Sequence, residues 1–198
     1  YNGDGYTDLA VGAPAYPTAG NNGRGYLFLG SVSGIFGATA TNGLAFGTGT
    51  AAEAFTGALS SGDINGDGYS DLISGSYAHA TNTGRMYIYY GNAGSIPLNM
   101  TGGVGSPSTV ITGPNSGAFF TTSISAGDLN SDGYSDIAVG AYGCTSNPGG
   151  CAYVFYGAAG TLSGTTVAAA GFLGSAENPG DNFGRSVSSA DMNGDGYA

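Results

Sequence analysis

The chain has 198 residues, 40 of them glycine, 14 tyrosine and 9 phenylalanine, with no tryptophan. Its 3 basic residues, all arginine, face 13 acids, for a formal charge of −10. So few cations exclude a phosphate-tracking nucleic-acid surface, the lack of lysine excludes a P-loop, and 41% hydrophobic content excludes a disordered glycine-rich linker.

Abundant glycine and aromatics with few long helix formers predict an all-β, turn-rich chain. In order, the apolar runs bounded by turn residues predict strands at Leu9–Ala13, Tyr26–Leu29, Leu44–Phe46 and Phe55–Ser61. The first two flank a polar loop with Asn21-Asn22-Gly23 at its tip. Strands follow at Leu72–Gly75, Tyr87–Tyr90, Thr109–Thr112 and Phe119–Ala126. The last group is Ile137–Gly140, Tyr153–Tyr156, a weak strand near Val167, and Phe183–Ser188. A glycine ends each aromatic strand, at Gly30, Gly91 and Gly157. Another precedes it, in Gly23-Arg24-Gly25-Tyr26, Gly84-Arg85-Met86-Tyr87 and Gly150-Cys151-Ala152-Tyr153.

One nine-residue stretch organises this order. Asp63-Ile64-Asn65-Gly66-Asp67-Gly68-Tyr69-Ser70-Asp71 reads D-x-N-x-D-G-x-x-D and recurs whole at Asp128–Asp136. The chain opens at the motif's second position (Tyr1 to Asp8) and closes at the eighth (Asp191 to Ala198). The motif asparagines, Asn2, Asn65, Asn130 and Asn193, stand 63, 65 and 63 residues apart, which marks a repeat architecture.

Oxygens at the first, third and fifth positions converge when the backbone turns tightly. Glycine at the sixth permits the turn, the seventh carbonyl points inward and the ninth carboxylate closes the set. An all-oxygen set of that size suits Ca²⁺. The ligand candidates are Asp63, Asn65, Asp67, Tyr69 (carbonyl) and Asp71, and Asp128, Asn130, Asp132, Tyr134 (carbonyl) and Asp136. The partial copies offer Asn2, Asp4, Tyr6 and Asp8 at one end and Asp191, Asn193, Asp195 and Tyr197 at the other. An EF-hand is excluded, because the twelfth position holds Val11, Ser74 or Val139 in place of an acid, and a strand follows the loop. A plain hairpin turn is the competing reading. Three carboxylates within ~4 Å repel by roughly 4 kcal/mol per pair at an effective dielectric of about 20. A turn without metal has no reason to gather them. Ten of the thirteen acids lie in these loops, so the charge reflects metal sites rather than a basic partner.

Cys144 and Cys151 frame Thr145–Gly150 and are expected to bridge the neck of a hairpin, which implies an oxidising compartment; the alternative is two free thiols. A zinc site would need two more soft ligands, and His79 alone cannot supply them. Asn99-Met100-Thr101 is a glycosylation sequon. No window resembles a membrane span. His79 has no acid near it in sequence, and no pair of acids outside the loops is spaced for acid/base work, so the chain reads as no enzyme. Arg24 and Arg85 share a repeat position and are expected to brace the hairpin; the tyrosines at the seventh loop position are expected to act as packing caps.

Four short antiparallel strands per unit of roughly 65 residues make a β-propeller blade. The units are about 1–53, 54–117 and 118–182, with 183–198 the first strand and partial loop of a further one. At Phe183-Gly184 before a loop, and Val11-Gly12-Ala13-Pro14 after one, the chain resembles the FG-GAP repeats of integrin alpha-subunit propellers and their bacterial relatives. It departs from them at Phe55-Thr56, Phe119-Phe120, Gly75-Ser76-Tyr77 and Gly140-Ala141-Tyr142, none of which touches a ligand position. The resemblance implies an extracellular, calcium-binding, adhesive propeller that meets protein or glycan partners on the face opposite the calcium loops. The dissimilar loops at Ala15–Asn22, His79–Thr83 and Cys144–Gly150 are placed there.

Three blades fall short of the four to eight of closed propellers. The sequence therefore suits an excerpt of a longer chain, the preferred reading, or a self-associating unit whose two copies close six blades through the terminal half-motifs. Two complete calcium sites are expected, with the terminal ones weak, empty or completed by a neighbour. Other readings are a carbohydrate-binding accessory module of a secreted protein and a structural filament or sheath repeat.

Overall fold

The computed structural model describes residues 1–16, 22–35, 44–46, 53–93, 107–145, 149–162, 171–175, 178–194 and 196. Three antiparallel sheets follow one another along the chain. The first runs β1 (Leu9–Ala13), β2 (Arg24–Phe28) and β3 (Leu44–Phe46). The second runs β4 (Phe55–Gly62), β5 (Asp71–Ser76), β6 (Arg85–Tyr89) and β7 (Thr109–Thr112). The third runs β8 (Ile124–Gly127), β9 (Asp136–Ala141), β10 (Cys151–Phe155) and β11 (Gly171–Ser175). Strand neighbours in sequence are neighbours in space, the meander expected of a propeller blade.

The period of two sorts each strand's side chains onto opposite faces. Leu72 pairs with Tyr89 and Ser74 with Tyr87 on one face of the second sheet, while Ile73 pairs with Ile88 on the other. The first face meets Leu27, Phe46 and Phe55 in one core. The second meets Ile137, Val139, Tyr153 and Phe155 of the third sheet in another. Covered on both sides, β5 is buried at every residue, which is why its sequence shows no polar alternation. Phe120 lies edge-on to Tyr153 at 6.1 Å and Phe55 edge-on to Tyr87 at 5.3 Å, the orientation the ring quadrupole favours.

The glycine before each aromatic strand has a steric cause. A Cβ on Gly23, Gly84 or Gly150 would run into the backbone of Phe55, Phe120 or Phe183, the residue that opens the next unit. Thr56 and Thr121, one residue on, donate to the carbonyls of Arg24 and Arg85 at 3.0 and 3.3 Å.

Two predicted strands are shorter or absent. Of Phe119–Ala126 only Ile124 onward is strand, because Phe119 and Thr121 take positive φ (52° and 71°) and Thr122 closes a turn on the Phe119 carbonyl. The second sheet has the same kink at Thr56 (φ 64°), taken up there as a register shift between Phe55 and Ala58. Phe183–Ser188 forms one parallel bridge, Gly150 to Phe183, and no strand. The loop-tip Asn21, the sequon at Asn99 and the strand near Val167 lie outside the described residues. Among the described residues no helix is long and apolar enough to cross a membrane.

Candidate metal centre

The two complete loops join β4 to β5 and β8 to β9, at the same end of their sheets. Each is a nest of backbone N–H groups wrapped around its own acids. In the first, Asp63 Oδ1 accepts from the N–H of Gly66 and Asp67 at 2.7 and 3.1 Å, and its Oδ2 from Gly68 at 2.9 Å. Asn65 Nδ2 donates to Asp67 Oδ2 at 2.9 Å, and Asp67 Oδ1 accepts from the N–H of Tyr69 at 2.9 Å. The second repeats this, with Asp128 Oδ2 accepting from Gly133 at 3.0 Å, Asn130 Nδ2 donating to Asp132 at 2.9 Å, and Asp132 Oδ1 accepting from Tyr134 at 2.9 Å.

The glycine at the sixth position carries φ of 86° to 93° in all four copies (Gly5, Gly68, Gly133 and Gly196), and a Cβ there would meet nothing. Its role is conformational. The fourth position is also left-handed and holds Ser131 in the third copy at φ 56°.

The ninth acid ties three segments together. Asp71 Oδ2 accepts from the N–H of Ile64 at 2.8 Å, and Oδ1 from Gly91, beyond the end of β6, at 2.9 Å. Asp136 accepts from Leu129 and Gly157 at 2.9 and 2.8 Å. Asp8 accepts from the Tyr1 nitrogen at 2.9 Å and from Gly30 at 2.7 Å. These partners account for Gly30, Gly91 and Gly157: a Cβ there would collide with the carbonyl of the eighth loop residue, Thr7, Ser70 or Ser135. The sequence carried that signal as a glycine at constant phase, read only as a strand end.

The tyrosines cap the loops of their neighbours. A Cβ on Gly66 would strike the ring of Tyr134, and one on Gly3 the ring of Tyr69, so each seventh residue lies over the fourth position of the preceding loop. In the outer copies Tyr6 donates its N–H to Asp4 Oδ1 at 2.9 Å, and Asn2 Nδ2 donates to Asp4 Oδ2 at 2.8 Å. Asp191 accepts from Gly194 and Gly196 at 2.6 and 2.8 Å. Asn193 follows in that turn, and Asp195 and Tyr197 lie outside the described residues.

Among the described residues no three Asp, Glu, His or Cys side chains converge closely enough to hold an ion as they stand. The acids are spread over the N–H donors of their own turns, which also keeps like charges apart. The donor set nonetheless fits a hard cation. Asp71 and Asp136 are fully buried, and burial pushes both carboxyls up, Asp71 to about 6; two backbone N–H bonds oppose the shift, while the charges of Asp67 and Asp63, or of Asp132 and Asp128, add to it. Neither described ion pair brings a basic side chain to a loop acid. Arg24 lies over the Tyr16 ring at 4.1 Å and Arg185 over Tyr142 at 5.2 Å, outside the loops. Three acids per loop, one of them buried and the other two half-buried or exposed, with no basic side chain beside them and in an all-oxygen setting, are what a divalent ion offsets.

The opposite end of the sheets is built differently in each unit. Cys144 and Cys151 form the expected disulfide, with Cα atoms 5.9 Å apart. His79 finds an acid after all: its Nδ1 lies 2.8 Å from Oε1 of buried Glu53, from 26 residues upstream, while Glu53 Oε2 has no hydrogen-bond partner. Nothing in the sequence links the two.

A family model described as FG-GAP-like repeat matches residues 63–139, and one described as FG-GAP repeat matches residues 1–28. The chain belongs to the FG-GAP repeat family. It is 34% identical over 149 residues to integrin alpha-2 of Mus musculus, covering 68% of this chain and 11% of that protein. It is 36% identical over 92 residues to integrin alpha-3 of Cricetulus griseus, covering 44% and 8%. It is also similar to the phosphatidylinositol-glycan-specific phospholipase D of Bos taurus, 30% identical over 145 residues, covering 70% and 17%. The chain thus spans less than a fifth of these relatives' length. FG-GAP repeats are β-propeller blades.

Proposed function

We propose that this chain is a non-enzymatic, calcium-stabilised propeller segment of an extracellular protein, working in adhesion, recognition or surface assembly. The observation that carries the reading is the ninth-position lock, made in the same fashion by Asp71 and Asp136 and left without a basic partner at both loops. Asp63, Asn65, Asp67, the Tyr69 carbonyl and Asp71 would hold one ion, and Asp128, Asn130, Asp132, the Tyr134 carbonyl and Asp136 a second. Bound calcium supplies the positive charge that these loops lack. The chain's own part is mechanical: Asp71 fixes the loop start and the Gly91 backbone to β5, so a load on one strand is shared by three segments.

Support for the extracellular setting comes from the disulfide, a bond that persists in oxidising compartments, and from the similarity to integrin alpha chains. Recognition is placed on the β1–β2, β5–β6 and β9–β10 connections, which differ from unit to unit on a common scaffold. The activity in the name of the phospholipase relative belongs to a protein of which this chain matches 17%.

Calcium titration by calorimetry tests the proposal. Two ions per chain are expected, at affinities of ~10⁻⁴–10⁻³ M as in other extracellular modules. Asp63→Asn with Asp67→Asn should remove one and leave the other. Absence of binding at millimolar calcium, or binding unchanged in that variant, overturns it.

A further inference from the structure

The two complete loops touch through their backbones. The Asp63 carbonyl accepts from the N–H of Ser135 at 2.8 Å, and the Ile64 carbonyl accepts from the N–H of Ala158 at 3.1 Å. The Tyr134 ring covers Gly66, where a Cβ would come within 2.5 Å of it. The first, second and fourth positions of one loop therefore rest on the unit that carries the other.

These contacts join ligand candidates. The peptide group between Asp63 and Ile64 donates its N–H to Asp71 Oδ2 at 2.8 Å, and its carbonyl takes the Ser135 N–H. That N–H belongs to the peptide group whose carbonyl is Tyr134's, the seventh-position candidate of the other loop. A trans peptide points its C=O and N–H in opposite directions, so the bond to Asp63 fixes which way the Tyr134 carbonyl faces. Two peptide groups in file thus run from the ninth position of one loop to the seventh of the next.

A second contact runs beside the first. Asp136 holds the Gly157 N–H at 2.8 Å, and the next N–H, of Ala158, is the one that reaches Ile64. No side chain fits at this crossing. A Cβ on Gly157 would lie 2.5 Å from the Ser135 carbonyl and 2.8 Å from that of Ile64, and one on Gly62 would meet the Ser135 side chain at 2.7 Å. Ile64 itself is fully buried in the core shared by the second and third sheets. Neither loop can shift its backbone without moving the other.

We propose that the two loops fill as a coupled pair, with the Tyr134–Ser135 peptide group positioning a ligand of one loop on the backbone of the other. This rests on the calcium reading given above. Asp63 and Ile64, once held in a filled loop, fix the Tyr134 carbonyl, and the second loop has less left to order. Repulsion between two ions opposes this. It acts, however, across Asp63, Asp67, Asp128 and Asp132, all half-buried or exposed, where salt screens charge within about 8 Å. The backbone contact at Ile64 is buried and is not screened. Filling either loop therefore tightens the other, by the same factor in both directions.

Titration with calcium followed by amide NMR reads the loops separately, through Gly68 and Gly133, whose N–H groups donate to Asp63 and Asp128. In the parent chain both signals should move over one range, more steeply than a single site allows. Asp67→Asn, at an exposed position, should raise the calcium midpoint of Gly133 by about fivefold or more, and Asp132→Asn should raise that of Gly68 by a similar factor. Tyr134→Ala keeps the carbonyl but lifts the ring from Gly66, and should reduce the factor. The shifts should persist at about 0.5 M salt, where coupling by charge alone fades. Movement at neither glycine overturns the calcium reading and this proposal together. Two independent single-site curves, a midpoint unmoved or lowered when the neighbour is disabled, or a shift abolished by salt leaves that reading standing and overturns the coupling.

Discussion

The two ends of the sheets obey different rules. At the loop end the same bonds recur at nearly the same lengths: second-position N–H to ninth-position Oδ2 at 2.8 and 2.9 Å in the two complete loops, and glycine N–H to the ninth Oδ1 at 2.7–2.9 Å. At the other end each unit has its own device. The first sets Arg24 over Tyr16, the second pairs His79 with buried Glu53, and the third closes a disulfide. The second also holds Ala80, Thr81 and Asn82 at φ of 46°, 57° and 61°, with the Thr81 and Asn82 carbonyls accepting from Gly117 and Phe119. The lesson is a division of labour. Backbone groups satisfied by a constant acid tolerate little change, whereas a turn held by side chains can be rebuilt in every unit.

The sharpest way to break this comparison is to remove a ninth acid. Asp71→Ala or Asp136→Ala leaves two N–H groups unpaired, the glycine one in buried surroundings, and should cost about 2–6 kcal/mol at roughly 1–3 kcal/mol per unsatisfied group. Urea unfolding measures it, and a loss below about 0.5 kcal/mol would deny the lock its structural role. Opening the disulfide as Cys144→Ser with Cys151→Ser should cost roughly 2–3 kcal/mol, the loop-closure value for so short a span. The calcium response should be unaffected, since the bridge lies at the other end; a lost response would couple the two ends. The smallest effect is expected at Thr81. Thr81→Gly should stabilise by about 0.5–1 kcal/mol, because a β-branched residue is strained at positive φ and glycine is not. Thermal melts would read this as a slight rise, and a fall would mean that the turn is not strained.

Much of this was legible in the sequence because it is written in periods. The asparagine spacing gives the repeat, apolar runs bounded by turn residues give the strands, and the disulfide was readable from two cysteines about a tight turn. The ligand candidates Asp63 to Asp71 and Asp128 to Asp136 fall in the two loops where the motif places them. What the motif could not convey is that the ninth carboxylate would be buried and shared among three segments. That depends on Gly91, 20 residues downstream, arriving at Asp71. The kinks at Thr56 and Phe119 were harder to read: both are non-glycine residues at positive φ, which residue type alone does not announce. The Glu53–His79 contact spans 26 residues with no repeat to advertise it.

The central claim is that divalent charge at the loop end holds neighbouring strands in place, and a thermal melt in millimolar calcium against the same sample in chelator tests it most directly. Millimolar calcium is about one to ten times a Kd of ~10⁻⁴–10⁻³ M, so each site contributes roughly 0.4–1.4 kcal/mol. For a chain of this size two sites should raise the melting temperature by roughly 2–10 °C, at about 2–4 °C per kcal/mol, and the rise should grow with calcium concentration. Coincident melts with and without the ion would contradict the account.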